Sequence, residues 1–280
     1  MDKGLSGKKV LITGASSGIG MATALTLAKN GCHVWGTTRN LSKVQSFPDE
    51  VKQNIKFLQM DVTKDDSVRS GCAQFLSEAG GIDILINNAG FGVFGPLEEF
   101  PIDKTKEIFE TNYFGALRLI QEIVPVMREQ REGLIINITS LAGKFVIPFQ
   151  VHYSSTKFAL DALTEGLRQE LRPFGIKVVA VEPGDIKTNF NNVTKFGIAA
   201  DSPYKKWTDL CWDVIDVNMQ NSPPPQVIAD KVVKVIRKKN PRTRYPAGDF
   251  LSTKFPAIAR FVPGRLKEKM IRLFYGVDFL

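Results

Sequence analysis

Lys8-Lys9-Val10-Leu11-Ile12-Thr13 is a short apolar run that stops at Gly14-Ala15-Ser16-Ser17-Gly18-Ile19-Gly20. Behind that turn, Ala22, Leu25, Leu27 and Ala28 recur at helical intervals before Gly31. A strand fed through a glycine turn into a helix leaves few choices for the next element. His33-Val34-Trp35-Gly36-Thr37-Thr38 reads as a second strand, so the chain opens with a βαβ unit and needs a parallel sheet covered by helices. The rest keeps the alternation. Strands are expected at Ile55–Met60, Ile82–Ile86, Leu134–Ile138 and Lys177–Val181. Helical patterns fill Asp65–Ala79, Ile102 to about Met127, and the stretch carrying Tyr153 to about Arg172. The expected fold class is α/β, a doubly wound parallel sheet of Rossmann type, whose ligand crevice lies at the carboxyl ends of the strands.

The residues due to gather there suit a phosphorylated ligand. Glycines at Gly14, Gly18 and Gly20 let backbone approach a pyrophosphate, and the free N–H groups and dipole of the following helix attract the anion. The spacing is G-x-x-x-G-x-G, a departure from the G-x-G-x-x-G fingerprint. At the end of the second strand, a cofactor without a 2′-phosphate usually meets an acid on its ribose hydroxyl. This chain has Thr38 and then Arg39, and a guanidinium suits a phosphate, so NADP(H) is expected over NAD(H). Asn87-Asn88-Ala89-Gly90 closes the fourth strand, where side-chain amides can tie neighbouring loops.

The acid/base equipment lies further on. Ser140 follows the fifth strand, and Tyr153-x-x-x-Lys157 places a phenol and an ammonium on one helix face. A cation at that range is expected to lower the tyrosine pKa toward working pH. His152 points about 100° away from Tyr153 and is expected to be structural. Glu98-Glu99 and Asp65-Asp66 are expected on solvated surfaces.

Together, Thr13-Gly14-x-x-x-Gly18-Ile19-Gly20, Asn87-Asn88-Ala89-Gly90, Asn112, Ser140, Tyr153-x-x-x-Lys157 and Pro183-Gly184 with Thr188 resemble, in order and spacing, the short-chain dehydrogenase/reductase family over about residues 6 to 190. The resemblance implies that Tyr153 exchanges a proton with the substrate's carbonyl or hydroxyl oxygen while Ser140 hydrogen-bonds that oxygen. Lys157 would hold the nicotinamide ribose, and Asn112 a water of the proton relay. Cofactor contacts are implied at Gly14, Ser16, Ser17, Gly18, Ile19, Gly20, Thr38, Arg39, Asp61, Val62, Asn88, Ala89, Gly90, Tyr153, Lys157, Pro183, Gly184, Ile186 and Thr188. The segment 189–225, rich in aromatics, would be a substrate lid. Phe94, Ser140, Phe149, Gln150, Tyr153 and Phe190 would line the substrate pocket. The stretches Phe91–Leu97 and Pro148–Leu160 look like the 17β-hydroxysteroid and retinol dehydrogenase branch, which implies a hydrophobic carbonyl or alcohol. Small carbonyls and 3-oxoacyl thioesters fit the same tetrad. A cofactor-binding regulatory protein without turnover is the alternative outside enzymes, and the intact Ser140, Tyr153 and Lys157 argue against it.

Charge and composition narrow the rest. Residues 230–280 carry 13 Lys+Arg against 4 Asp+Glu, so the net charge of +8 belongs to the C-terminal part. Those charges are interleaved with apolar residues in no recognisable nucleic-acid module, so no nucleic-acid partner is expected. Arg265 to Tyr275 reads as a basic amphipathic helix, within reach of a membrane surface at 264–275, the substrate pocket or a second subunit. Residues 1–245 are expected to form one catalytic domain and 246–280 a short helical extension. The long helical segments 102–127 and 153–172 suit pairing into a homodimer or homotetramer. Three scattered cysteines, two histidines and no apolar run near the ~18 residues of a spanning helix predict a cytoplasmic protein without disulfides or a bound metal.

Overall fold

Val10 and Ile12 of the first strand pack into one apolar cluster and Leu11 into another. Ile84 and Ile86 against Leu85, Ile136 and Ile138 against Ile135, and Val179 and Val181 against Val178 divide in the same way. Strands buried on both faces require cover on both, and that requirement builds the molecule. The computed structural model describes residues 4–188, 198–249, 253–254 and 261–277. In chain order the elements are β1 (Lys9–Ile12), α1 (Gly18–Lys29), β2 (His33–Thr38), short helices α2 (Ser42–Gln45) and α3 (Asp49–Asn54), β3 (Ile55–Gln59), α4 (Asp65–Ala79), β4 (Ile84–Asn87), α5 (Ile102–Phe109) and α6 (Gly115–Gln130). Then come β5 (Gly133–Ile138), α7 (Val151–Glu170), β6 (Ile176–Pro183), α8 (Lys205–Asn221), α9 (Gln226–Ile236), β7 (Arg244–Ala247) and α10 (Gly264–Phe274).

The strands form one parallel sheet in the order β3-β2-β1-β4-β5-β6-β7. Leu27 of α1 and Ile228 and Val232 of α9 cover one face; Phe75 of α4 and Leu119 and Ile123 of α6 cover the other. Strand order reverses between β1 and β4, which opens a crevice above their carboxyl ends. The doubly wound α/β architecture stands as expected, with a helix near the C-terminus.

Three elements depart from the sequence reading. The amphipathic segment from Ile102 is interrupted by a π turn at Glu110–Phe114, so it forms two helices around Asn112. A π turn inserts one residue into the helical ladder, and the apolar periodicity continues through it. Strand β7 has only four residues, Arg-Tyr-Pro-Ala, and its proline is tolerated because the strand is at the sheet edge. Helix α8 buries Thr208, Cys211 and Ile215, a stripe in which only isoleucine is conspicuously apolar. No helix among the described residues is long and apolar enough to cross a membrane.

Candidate active site

The asparagine motif draws the ends of three strands together. Asn88 Nδ2 donates to the carbonyls of Thr13 (2.9 Å) and Gly14 (3.2 Å), while Thr13 Oγ1 accepts from the backbone N–H groups of Asn88 and Ala89. Asn87 Nδ2 reaches Asn137 Oδ1 at 2.9 Å, and Asn137 Nδ2 reaches Thr164 Oγ1 of α7 at 2.8 Å. The glycine turn is thereby fixed against β4, and β4 is tied through β5 to the helix bearing Tyr153.

The turn is shaped as a cradle. Gly14 and Gly18 have φ of +66° and +52°, a region that favours glycine. A Cβ on Gly20 would lie 2.2 Å from the Gly14 carbonyl oxygen, so α1 starts as close to the turn as glycine permits. Ser17, the N-cap of α1, makes no side-chain capping bond, and no acid occupies the first helical turn. Uncapped N–H groups at a helix start are the donors a pyrophosphate requires.

A cleft of about 2020 Å³ runs from this cradle across the strand ends. Its walls include Gly14, Ser16 to Gly20, Thr38, Arg39, Asp61, Val62, Asn88 to Gly90, Ser140, Gln150, Tyr153, Lys157, Pro183, Gly184, Ile186 and Thr188. Arg39 is exposed at the rim, and its guanidinium pairs with no described carboxylate. Asn112 lies outside the lining, 1% exposed, with Oδ1 accepting from Phe91 N–H and Nδ2 donating to Phe91 O and Thr156 Oγ1.

Ser140 begins a single 3-10 turn; its Oγ accepts from Ala142 N–H at 3.0 Å and is hydrogen-bonded to the Tyr153 phenol. Lys157 Nζ donates to the carbonyl of Ile138 at 3.0 Å and lies 5.6 Å from the centre of the Tyr153 ring. One expectation is corrected here. Burial pushes the Tyr153 phenol up to about 12; the Ser140 hydrogen bond pulls it down and the Asp185 charge adds to the rise. Burial also pulls Lys157 down to about 8, with Asp161 opposing. Desolvation therefore outweighs the cation, and the phenol is a proton donor at neutral pH.

A second correction concerns the pocket wall. Phe94 and Phe149 do not line the cleft. They stand behind it in an aromatic cluster, 5.8 Å apart by ring centres, with Trp212 at 5.0 Å from Phe94. Large rings close to a sheet end gain more by packing α8 onto the body than by facing water. The apolar wall is made by Phe91, Phe145 and Ile147, from the stretches after the asparagine motif and after Ser140, together with Ile215, Met219, Phe274 and Tyr275. Phe190 lies outside the described residues. Glu98 and Glu99 also do more than meet solvent, since Glu98 accepts from Tyr204 Oη at 2.6 Å and Glu99 accepts from Ser202, holding the start of α8. His152 packs on Phe100 at 4.4 Å and contacts Thr105 at 3.1 Å, away from the cleft.

Asp185, inside the segment Pro183 to Thr188 expected to contact the cofactor, faces the cleft, and so does Asp249, for which no role is expected from the sequence. Each follows a strand and a glycine, the position where crevice residues of such sheets arise, and that was the available signal.

A switch-point crevice, a glycine cradle and a serine–tyrosine–lysine group at one sheet end define a dinucleotide-binding oxidoreductase. The family model for short chain dehydrogenases matches residues 8–196. The chain is 35% identical to the 3-ketodihydrosphingosine reductase of Bacteroides thetaiotaomicron, over 96% of this chain and 98% of that one. It is 39% identical to human retinol dehydrogenase 8, over 65% of this chain and 60% of the relative. A short-chain dehydrogenase from Streptomyces avermitilis superposes with a TM-score of 0.79 at 30% identity, covering 98% and 99% of the two chains. An alcohol dehydrogenase from the archaeon Thermococcus sibiricus, solved with 5-hydroxy-NADP, superposes at a TM-score of 0.69 with 26% identity, over 85% and 94%. The chain belongs to the short-chain dehydrogenase family, oxidoreductases that work with a nicotinamide dinucleotide.

Proposed function

We propose that this chain interconverts a carbonyl and a secondary alcohol on a hydrophobic, lipid-like substrate, with NADP(H) as cofactor and Tyr153 as acid/base. The observation that carries the reading is the hydrogen-bonded Ser140–Tyr153 pair in a cleft that also presents Phe145, Ile147, Ile215, Met219, Phe274 and Tyr275. A bound nicotinamide supplies or accepts the hydride; the chain's residues do the rest. Ser140 and Tyr153 direct two hydroxyl donors at the substrate oxygen, where negative charge develops during reduction. Tyr153 then gives its proton. Lys157 holds the cofactor ribose, and Asn112, fixed between Phe91 and α7, positions the relay behind it. Gly14, Ser16 to Gly20, Asp61, Val62, Asn88 to Gly90 and Pro183, Gly184, Ile186 and Thr188 hold the remaining dinucleotide.

NADP(H) is favoured by Arg39 and by Lys43 at the same end of the cleft, with no acid at the end of β2. Support for a lipid-like substrate comes from the reductase relative matched nearly end to end. The catalytic domain is taken as residues 1–245 with a substrate lid whose described part is α8, and α10 of the C-terminal extension contacts a membrane. Exposed Ile102, Phe114, Val151 and Phe158 on α5 to α7 favour pairing of two copies.

The test monitors nicotinamide absorbance with NADPH and NADH side by side, on long-chain, steroid and retinoid ketones and the matching alcohols. Turnover of a long-chain ketone with NADPH preferred is expected. A strong NADH preference would remove the role given to Arg39, and no turnover of any substrate would overturn the reading.

A further inference from the structure

We infer that Gln150 determines specificity in the cleft, its side-chain amide binding a second, neutral oxygen on the carbon next to the carbonyl that Ser140 and Tyr153 receive. This rests on the proposed function and narrows its substrate class to long-chain α-hydroxy ketones and the corresponding vicinal diols.

The other buried polar side chains of the cleft have partners within the protein. Thr37 Oγ1 accepts from Gly14 N–H and Thr38 Oγ1 from Asn40 N–H, while Thr139 donates to the Val181 carbonyl and Lys157 to the Ile138 carbonyl. Gln150 is 6% exposed and lines the same cleft, yet its amide makes no hydrogen bond with any described residue. It does not cap α7, whose first turn it precedes. Nor is the amide sealed inside the protein, as the unpartnered Ser154 Oγ and His152 Nε2 of the same helix are. The little surface it keeps faces the cleft.

The backbone here is fixed. Gln150 N–H donates to the Ile147 carbonyl at 3.1 Å, and its carbonyl accepts from Ser154 N–H at 2.9 Å. Just before it, Phe149 has a φ of +61°, a left-handed conformation that a bulky residue rarely adopts. Gly95 N–H on the Phe149 carbonyl at 2.8 Å and the Phe149 ring on Phe94 hold that turn. The ring is thereby packed behind the cleft while the next side chain stands in its wall. Strain of this kind persists where the surroundings over-determine it, commonly at a ligand site.

Gln150 precedes Tyr153 by three residues at the start of α7, a spacing that puts Cβ atoms about 5–6 Å apart on one face. Two oxygens on neighbouring carbons of one substrate can therefore meet the phenol and the amide together. A hydrocarbon chain covering the amide would strip its water and leave two donor hydrogens and an acceptor unmatched. A hydroxyl donates and accepts, as the amide does, and brings no charge that would need a counter-charge.

The experiment compares kcat/KM with NADPH at pH 7 for two long-chain ketones of equal length, one with a hydroxyl on the carbon beside the carbonyl and one without. It uses wild type and Gln150→Met, which keeps the length of the side chain and removes the amide. Wild type should prefer the hydroxy ketone by about 10- to 100-fold, the range set by leaving a buried polar group unmatched. Gln150→Met should cut that preference by about tenfold and raise kcat/KM for the plain ketone, which loss of a merely structural residue would not do. No preference in wild type overturns the inference. An equal preference in Gln150→Met also overturns it, because the hydroxyl would then act only on the reactivity of the carbonyl. So does a fall for both ketones at constant ratio, because Gln150 would then only support α7. If wild type reduces neither ketone, the functional reading fails separately. Tryptophan fluorescence titrations with a long-chain vicinal diol and the matching monoalcohol then decide. Diol-selective binding lost in Gln150→Met supports the role; equal binding, or none, removes it.

Discussion

At the residue scale, the chemistry depends on which state of Tyr153 the protein favours. A free phenol titrates near 10, and burial here takes it to about 12. Below that value the phenol is protonated, so the donor for reduction is fully present through neutral pH, while the phenolate needed for oxidation grows about tenfold per pH unit. Reduction should therefore be flat from pH 6 to about 7, with any fall above that following loss of the Lys157 charge near 8 and not loss of the Tyr153 proton, and oxidation should rise with a slope near one on a logarithmic plot. A plateau in oxidation near pH 7 would mean that Lys157, with bound cofactor, overcomes burial after all. Tyr153→Phe removes the proton and leaves the cleft shape intact, so kcat should drop by about 10²- to 10⁴-fold. NADPH affinity, read by fluorescence titration, should stay within a few-fold. At the other end of the cleft, Arg39→Asp exchanges a phosphate partner for a hydroxyl partner. NADPH should weaken by about 10- to 100-fold while NADH gains, and unchanged cofactor selectivity would place the 2′-phosphate elsewhere.

At the element scale, β7 is held by charge as well as by its ladder to β6 and the buried Ala247. Arg244 donates to Asp161 of α7, to Glu182 of β6 at 2.9 Å and to Glu165 at 2.8 Å, and Lys144 holds the other Glu182 oxygen at 2.6 Å. Asp161 and Glu182 are 2% and 0% exposed. Arg244→Met leaves Asp161 buried without its cation and should cost about 3–5 kcal/mol, read as a lowered urea midpoint. Native-like stability would mean that water reaches Asp161. This network also explains what was legible in the sequence. Strands β1, β2, β4, β5 and β6 carry continuous apolar runs and α4 has a regular stripe, so their places could be read directly; α4 was expected at Asp65–Ala79, where it stands. The motif residues at the strand ends could be placed in the crevice by the same periodicity. Strand β7 could not, because an Arg-Tyr-Pro-Ala strand held by partners 62 and 83 positions away in the chain has no local period. The pocket wall was misjudged for a related reason. Phe94 and Phe149 carry no local mark that separates a ring facing a ligand from one pinning α8.

At the scale of the whole molecule, the uneven charge acquires a location. Helix α10 turns Leu266 (51% exposed), Met270 (42%), Leu273 (59%) and Phe274 (53%) to the outside, with Phe261 (75%) just before it. Met270 and Phe274 also belong to the cleft wall, so the apolar stripe continues into the site. Lys267 and Lys269 flank the stripe on the helical wheel, within the segment that carries the excess of Lys and Arg. An apolar stripe bordered by cations matches the boundary of an anionic bilayer, with each cation near the surface contributing about 1 kcal/mol. A protein seated this way would take a lipid-like substrate from the membrane into the cleft without passing it through water. The full chain should therefore sediment with vesicles containing phosphatidylserine and much less with pure phosphatidylcholine, and the binding should weaken as salt rises. Leu266→Glu combined with Leu273→Glu should lower vesicle affinity by at least tenfold and leave NADPH binding unchanged, since neither side chain lines the cleft. Equal binding to neutral and anionic vesicles, or no loss in the double variant, would assign the stripe to a second protein surface instead.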